Sequence, residues 1–229
     1  MCNLAEKYYP TLQASSLFKQ IPRDKYMNVL TCLQAQNKTF DRDYLIASAG
    51  DSNGRAGIIL KGVVEGFLYD ENGNQVIVRH LYAGDVFGAE SACAGQFSSQ
   101  IFLRASSEAE VLLLNFGILL SDKTLTCPYR MQVTANLMQE FARQVLYFNT
   151  RVRILSQKKL RDKLKIYLQT LQITSSGIIN LPFNRNKLAE FLYVDRSALS
   201  RELCRLRDEG ILLFSGSRIT LLDMNFLTE

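Results

Sequence analysis

Between Phe183 and Leu222 the chain reads as helix, tight turn, helix and short β-hairpin, an order that few small folds supply. Asn184 or Asn186 can cap a first helix that carries Leu188, Ala189 and Leu192. Tyr193 and Val194 make a short turn, and Asp195 follows as an N-cap whose carboxylate can accept from the free N–H groups of the next turn. Leu199, Leu203 and Leu206 recur at i, i+4 and i+7, so the second helix buries one face. Its other face starts with Arg196, Ser197, Ser200 and Arg201 and continues to Arg205. Gly210 stops it from the C′ position. Ile211–Phe214 and Arg218–Leu222 then read as two strands around Ser215-Gly216-Ser217, a wing. A helix that buries leucines and presents arginine and hydroxyls from its first turns is suited to the major groove of DNA. Lys187 in the first helix and Arg218 in the wing extend the same basic set. The plainer reading is a surface helix pair in an all-α domain.

Charge placement favours the first reading. Residues 1–127 hold 11 Lys and Arg against 13 Asp and Glu, whereas residues 128–229 hold 16 against 9. The back of the chain is therefore basic by +7 while the front is acidic by −2, which points to a polyanionic partner at the C-terminal end. The 229 residues suffice for one large or two ordinary domains, and 47% hydrophobic content supports a true core. The start lacks a basic region followed by an apolar run, and no apolar window reaches membrane-spanning length, so a cytoplasmic protein without a membrane partner is expected. The cysteines, Cys2, Cys32, Cys93, Cys127 and Cys204, are odd in number and form no C-x-x-C pair; neither disulfides nor a metal site is expected.

The front half looks all-β. Tyr44–Ala47, Gly57–Leu60, Val63–Tyr69, Gln75–Leu81, Val86–Gly88, Gln100–Ala105 and Glu110–Phe116 are short β-rich runs. Turns separate them at Lys61-Gly62, Asp70-Glu71-Asn72-Gly73-Asn74 and Ala83-Gly84-Asp85, and Asn-Gly between two such runs is a strong hairpin signal. Regular spacing with glycine-rich turns predicts an antiparallel sandwich or barrel, a form whose ends commonly hold a small ligand.

Pro128 opens a long helix. Thr134, Met138, Phe141, Val145, Phe148, Val152 and Leu155 recur at alternating steps of four and three, the pattern of a coiled-coil seam flanked by polar Gln139, Arg143, Asn149, Arg151 and Arg153. Pairing with a second copy is the favoured reading; packing against its own β domain is the other. A two-fold dimer would set two reader helices about one DNA turn apart, as a palindromic operator requires. Ser156-Gln157-Lys158-Lys159 breaks the apolar pattern as a hinge, and Leu160, Leu164, Tyr167, Leu168 and Leu171 form the next amphipathic helix. Lys158, Lys159 and Arg161 at its start are electrostatically poor for a helix N-terminus, which nearby phosphate would relieve.

The order of β-roll, long helix, hinge and winged helix-turn-helix resembles the cyclic AMP receptor protein/FNR (Crp/Fnr) family of bacterial transcription regulators, from about Leu17 to Leu222. The best-matching pieces are Gly84–Gly88 in the roll, Ile154–Leu164 after the hinge and Leu188–Leu203 in the reader. The resemblance implies an α+β fold: a cyclic-nucleotide-binding-like β-roll at 1–127, a dimerisation helix and hinge at 128–156, and a winged helix-turn-helix at 157–229. It also implies that Arg196 and Arg201 contact bases and phosphates. Many relatives have Glu where Ser197 stands; a hydroxyl selects less sharply than a carboxylate accepting from cytosine N4, so a different operator is expected.

The implied effector pocket departs from the cyclic-nucleotide pattern. Gly88 is followed by Ala89 with Glu90 one place late, and Ser98, Ser99 and Gln100 stand where an Arg-Ser pair would hold the cyclic phosphate. Arg104 matches a strand arginine, and the helix near Gln144–Leu146 lacks the paired hydroxyls that meet adenine. A phosphate buried without a cation is badly solvated, so the expected effector is a small molecule other than cyclic AMP, held near these residues with Phe141 and Val145. An iron–sulfur cluster would need four cysteines, and a haem an axial histidine; His80 is alone on a strand, so no cofactor is expected. The leading function is thus a homodimeric, effector-controlled DNA-binding regulator in which the effector biases two arrangements of the hinge near Leu155–Lys158. The alternative is an effector-independent DNA-binding protein whose roll only supports dimerisation. No catalytic set is visible, and any contact with RNA polymerase would be made by surface residues that no motif marks.

Overall fold

A computed structural model describes residues 4–51, 56–94, 99–120, 128–182 and 184–228. The chain forms two compact units, Met1–Gln144 and Val145–Glu229. Their boundary falls within the long helix rather than at its ends.

The first unit begins with helices α1 (Leu4–Lys7), α2 (Tyr9–Ala14) and α3 (Tyr26–Cys32). Strands β1 (Gln36–Phe40), β2 (Leu45–Ala47), β3 (Gly57–Lys61), β4 (Val64–Tyr69), β5 (Gln75–Leu81) and β6 (Val86–Phe87) follow. Helix α4 (Ala89–Cys93), strands β7 (Phe102–Ala105) and β8 (Ala109–Leu113), the short α5 (Gly117–Leu120) and the long α6 (Arg130–Leu155) complete the sequence into the second unit. The strands pair antiparallel as two four-stranded sheets, ordered β1-β8-β3-β6 and β2-β7-β4-β5. This is the antiparallel sandwich that the strand spacing predicts.

Alternation along the strands explains the layering. Phe40, Ile59 and Val111 of one sheet face Val64, Leu81 and Leu103 of the other and bury the core between them. The opposite face of β1-β8-β3-β6 is apolar too: Ile58, Leu60, Val86 and Leu112 pack against Leu12, Leu17, Phe18, Val29 and Leu30 of the N-terminal segment. Strand β1 and helices α1–α3 have no counterpart in the strand reading. In β1 only Phe40 is buried, because it is the edge strand, so its sequence carries no alternation. The turn at Lys61-Gly62 requires glycine, since Gly62 has φ +85° and a Cβ there would lie 2.2 Å from the Glu108 carbonyl oxygen. At the β4–β5 hairpin, Asp70 accepts from the backbone N–H groups of Asn72 and Asn74, and Gly73 takes φ +80°.

In the N-terminal half of α6, Val133, Asn136 and Leu137 are the buried positions. Asn136 donates its amide to the carbonyls of Leu17 and Lys19, 2.8 Å each, so this half does pack on its own domain. The face so used is not the heptad face. Met138, Val145 and Val152 stay 63%, 57% and 66% exposed, Leu155 is also exposed, and Thr134, Phe141 and Phe148 are half-buried.

In the second unit, α6 is followed by α7 (Leu160–Gln169), β9 (Ile178–Asn180), α8 (Arg185–Leu192), α9 (Arg196–Asp208), β10 (Leu212–Ser215) and β11 (Arg218–Leu221). The wing is a three-stranded antiparallel sheet ordered β10-β11-β9. Its third strand, β9, lies outside the two-strand reading. Ile154, Leu164, Leu188, Leu192, Leu199, Leu203, Leu206, Leu212 and Ile219 form this unit's core.

Candidate functional site: the nucleic-acid interface

Helix α8 starts at Asn184, whose side-chain oxygen accepts from the Lys187 N–H at 3.0 Å. It ends on Tyr193 in the left-handed region, φ 53°, where the N–H groups of Tyr193 and Val194 close on Glu190 and Ala189. This non-glycine turn swings the chain into α9 within two residues. Asp195 occupies the N-cap of α9 as the sequence predicts, but its carboxylate accepts no capping bond. The side chain is exposed, and among the described residues no side-chain capping bond closes the start of α9.

Leu199, Leu203 and Leu206 seat α9 on the core, each at most 2% exposed. Arg196, Ser197, Arg201 and Arg205 are exposed and Ser200 is half-buried, so the predicted reader face is presented together. Glu202 is buried beneath that face and accepts from Arg161 of α7, Nε to Oε1 at 2.8 Å. The same guanidinium grips Glu209 with two further bonds of 2.8 and 2.7 Å. Both carboxylates hold the Arg161 pKa above its ordinary value, Glu209 more than Glu202. Arg161 therefore ties α7 to α9 and is not the free phosphate-facing charge expected from its place at a helix start. Arg205 lies 3.6 Å from Glu202 and is partly neutralised by it. Among the described residues, Arg196 and Arg201 have no acidic partner.

The basic run before α7 reaches the interface by another route. Lys159, Arg161, Arg201 and Arg205 line one groove of about 630 Å³ between α7 and α9. Lys159 lies outside the predicted reader face, and the Lys158-Lys159 pair is its only signal in the sequence. Lys187 is half-buried on α8 and Arg218 is exposed on β11, paired across the wing turn with Ser215.

The expected effector residues are only partly brought together. Gly88, at φ 67°, caps α4 and lines a cavity of about 20 Å³ with Glu90, Ser99, Asp51 and Ser48. Ser98 lies outside the described residues. Ala89 is wholly buried in the packing against the N-terminal helices, and Gln100 is exposed. Arg104, expected at the pocket, points away from it. It follows Leu103, which lines the cavity, and so faces the opposite side of β7, bonded to Glu65 at 3.3 Å and lying over the Phe67 ring. Phe141 packs against the N-terminal core and Val145 is exposed in the second unit. Arg79 on β5, which the sequence did not mark, is the cation beside Glu90, at 3.3 Å. Gly66 stands opposite it in the β4–β5 register, where a Cβ would meet Ile101 at 3.3 Å and the Arg79 chain at 3.4 Å.

Two family models match this chain. A Crp-like helix-turn-helix domain covers residues 162–229, and a cyclic nucleotide-binding domain covers residues 37–120. The chain belongs to the Crp/Fnr family of transcription regulators. This Crp/Fnr regulator is 24% identical to an anaerobic regulatory protein of Haemophilus influenzae, over 85% of the chain and 76% of that protein. It is 26% identical to a global nitrogen regulator of Synechococcus elongatus, over 86% and 90%. In fold it is similar to a CooA mutant from Carboxydothermus hydrogenoformans, with TM-score 0.65 and 17% identity over 88% of this chain and 93% of that one. It is equally similar to the c-di-GMP responsive regulator CLP of Xanthomonas campestris, with TM-score 0.64 and 15% identity over 89% and 100%. The family is one of DNA-binding transcription regulators rather than enzymes. Among the described residues of this Crp/Fnr regulator no helix is long and apolar enough to cross a membrane.

Proposed function

We propose that this regulator works as a homodimer, paired along the heptad face of α6, that places two α9 helices in successive major grooves of a palindromic operator. The observation that carries the DNA contact is the α9 face itself: Arg196 and Arg201 stand exposed with no acidic partner among the described residues, over a fully buried leucine face. Dimerisation is supported by Met138, Val145 and Val152, apolar side chains left in solvent at seven-residue intervals. The test is selection of bound duplexes from a random pool, with the oligomeric state followed by sedimentation. A palindromic consensus bound by two chains, with affinity falling steeply with salt, is the expected result. A monomer indifferent to every duplex would overturn the reading.

Within the reader, Arg201 is assigned to a base edge. Arg201→Ala is expected to weaken operator binding by about 1–3 kcal/mol and to relax one base position in a repeated selection. A loss equal across all sequences would reassign Arg201 to a phosphate.

The effector is a small molecule other than cyclic AMP. The Gly88 cavity offers the carboxylates of Asp51 and Glu90 and the hydroxyls of Ser48 and Ser99, while the adjacent Arg79 is engaged by Glu90. A cyclic phosphate brought here meets like charge instead of a free cation. Calorimetry is expected to show no cyclic AMP binding in the micromolar range, and micromolar binding would refute this assignment. The small size of the cavity favours a second reading, an effector-independent regulator. A metabolite screen by thermal shift separates the two, because a ligand of the folded state raises the melting temperature.

A further inference from the structure

Two carboxylates flank Arg205 on its own helix. Glu202 stands three residues before it and Glu209 four residues after it, one turn away on either side. Glu202 is buried in the groove between α7 and α9, and Glu209 is partly exposed beyond its end. An arginine so placed has two internal anions competing with any phosphate that approaches it. Arg161 occupies both. Its Nε donates to Glu202 at 2.8 Å, and its two Nη groups donate to Glu209 at 2.8 and 2.7 Å. Arg205 meets only the second Glu202 oxygen, at 3.6 Å, with most of its side chain in solvent, and a contact of that kind is weak. The Glu209 carboxyl is held below the ordinary carboxylate range by Arg161 first and by Arg205 to a smaller degree. Arg205 is therefore within reach of both acids, and a guanidinium from another helix has taken them.

We infer that Arg161 is a positioning residue for DNA binding: by holding Glu202 and Glu209 it leaves Arg205 free to meet a backbone phosphate. Without Arg161, Glu202 would be a buried charge short of its main partner, and the cation already beside it is Arg205. That arginine would fold down between the two acids and be lost to the duplex. The inference rests on the DNA-binding reading of α9 and adds to it a residue that touches no DNA itself.

The test is a fluorescence titration of the full chain, at several salt concentrations, with the duplex enriched from a random pool. Arg161→Gln is expected to weaken binding about tenfold near 0.1 M salt and to lower the slope of log affinity against log salt by about 0.9, the share of one phosphate, with the preferred sequence unchanged. Arg205→Gln is expected to cost about the same in the wild-type chain and less than about twofold in Arg161→Gln, where Arg205 is already withdrawn. Adding Glu202→Gln and Glu209→Gln to Arg161→Gln is expected to restore the slope, because no acid is left to draw Arg205 in. Equal binding by wild type and folded Arg161→Gln overturns the inference. So does an equal cost of Arg205→Gln in both backgrounds, or a slope that stays low once the acids are removed, which would place Arg161 itself on a phosphate. If Arg161→Gln does not fold, Arg161→Lys replaces it in the same cycle, since one ammonium cannot hold both carboxylates as the fork does. A wild-type chain that binds no duplex overturns the DNA-binding reading itself, and this inference with it.

Discussion

The double variant Val145→Glu, Val152→Glu is expected to be a folded monomer that has lost operator binding by roughly 10²–10⁴-fold. Both side chains are more than half exposed in the single chain, so the substitutions remove no internal contact. In a dimer the same positions meet their counterparts across the seam, and four carboxylates would be desolvated against one another. A lone chain can hold only one half-site, and the affinity that came from joining two half-sites disappears with the pairing. Sedimentation gives the mass and a fluorescence titration the affinity. The melting temperature should also stop depending on concentration, as it must when association no longer stabilises the fold. A variant that remains dimeric and keeps its operator affinity would show that the copies pair elsewhere or not at all.

The largest single-site effect on stability is expected from Leu199→Ala. Leu199 is fully buried under the first turns of α9 and shares a core with Leu188, Leu192 and Leu203. Truncating it removes the methyl groups that hold the reader down and leaves a cavity, at a cost of about 2–5 kcal/mol. The second unit has its own core, so the loss should fall on its transition in a calorimetric scan and spare that of the first unit. A shift worth less than about 1 kcal/mol would mean that α9 is seated by something other than its leucines.

The reader was legible because short-range rules govern it. A 3.6-residue leucine period, a two-residue turn and a glycine stop are all local, and Leu188–Gly210 folds as they dictate. Where the outcome depends on residues far apart in sequence, the reading stopped short. Arg161 reads as a free charge at a helix start, yet its partners, Glu202 and Glu209, lie 41 and 48 residues on. The pairing of Arg79 with Glu90 depends on how the β5 strand is placed against α4, which no spacing reveals. Asp195 is the converse case: the position is right, but a cap's hydrogen bond depends on a side-chain rotamer that position does not set. Strands β1 and β9 escaped for simpler reasons. One is a polar edge with a single buried side chain, and the other is three residues long, too short to display a period.

Helix α8 is held at its C-terminal end from two directions. Arg151, on the C-terminal part of α6, lies over the Phe191 ring and donates to the Phe191 carbonyl, and Lys163 of α7 donates to the Leu192 carbonyl at 3.2 Å. Burial pushes the Arg151 pKa down, though it remains charged, and its bond to Phe191 replaces water it has surrendered. The carbonyls so anchored immediately precede Tyr193, the left-handed residue that aims α9. The scaffold helix thus has no freedom to tilt alone. A rotation of the last turns of α6 would therefore reach the bend that sets the reader's bearing both through this guanidinium and through the core that Ile154 shares with Leu188 and Leu192.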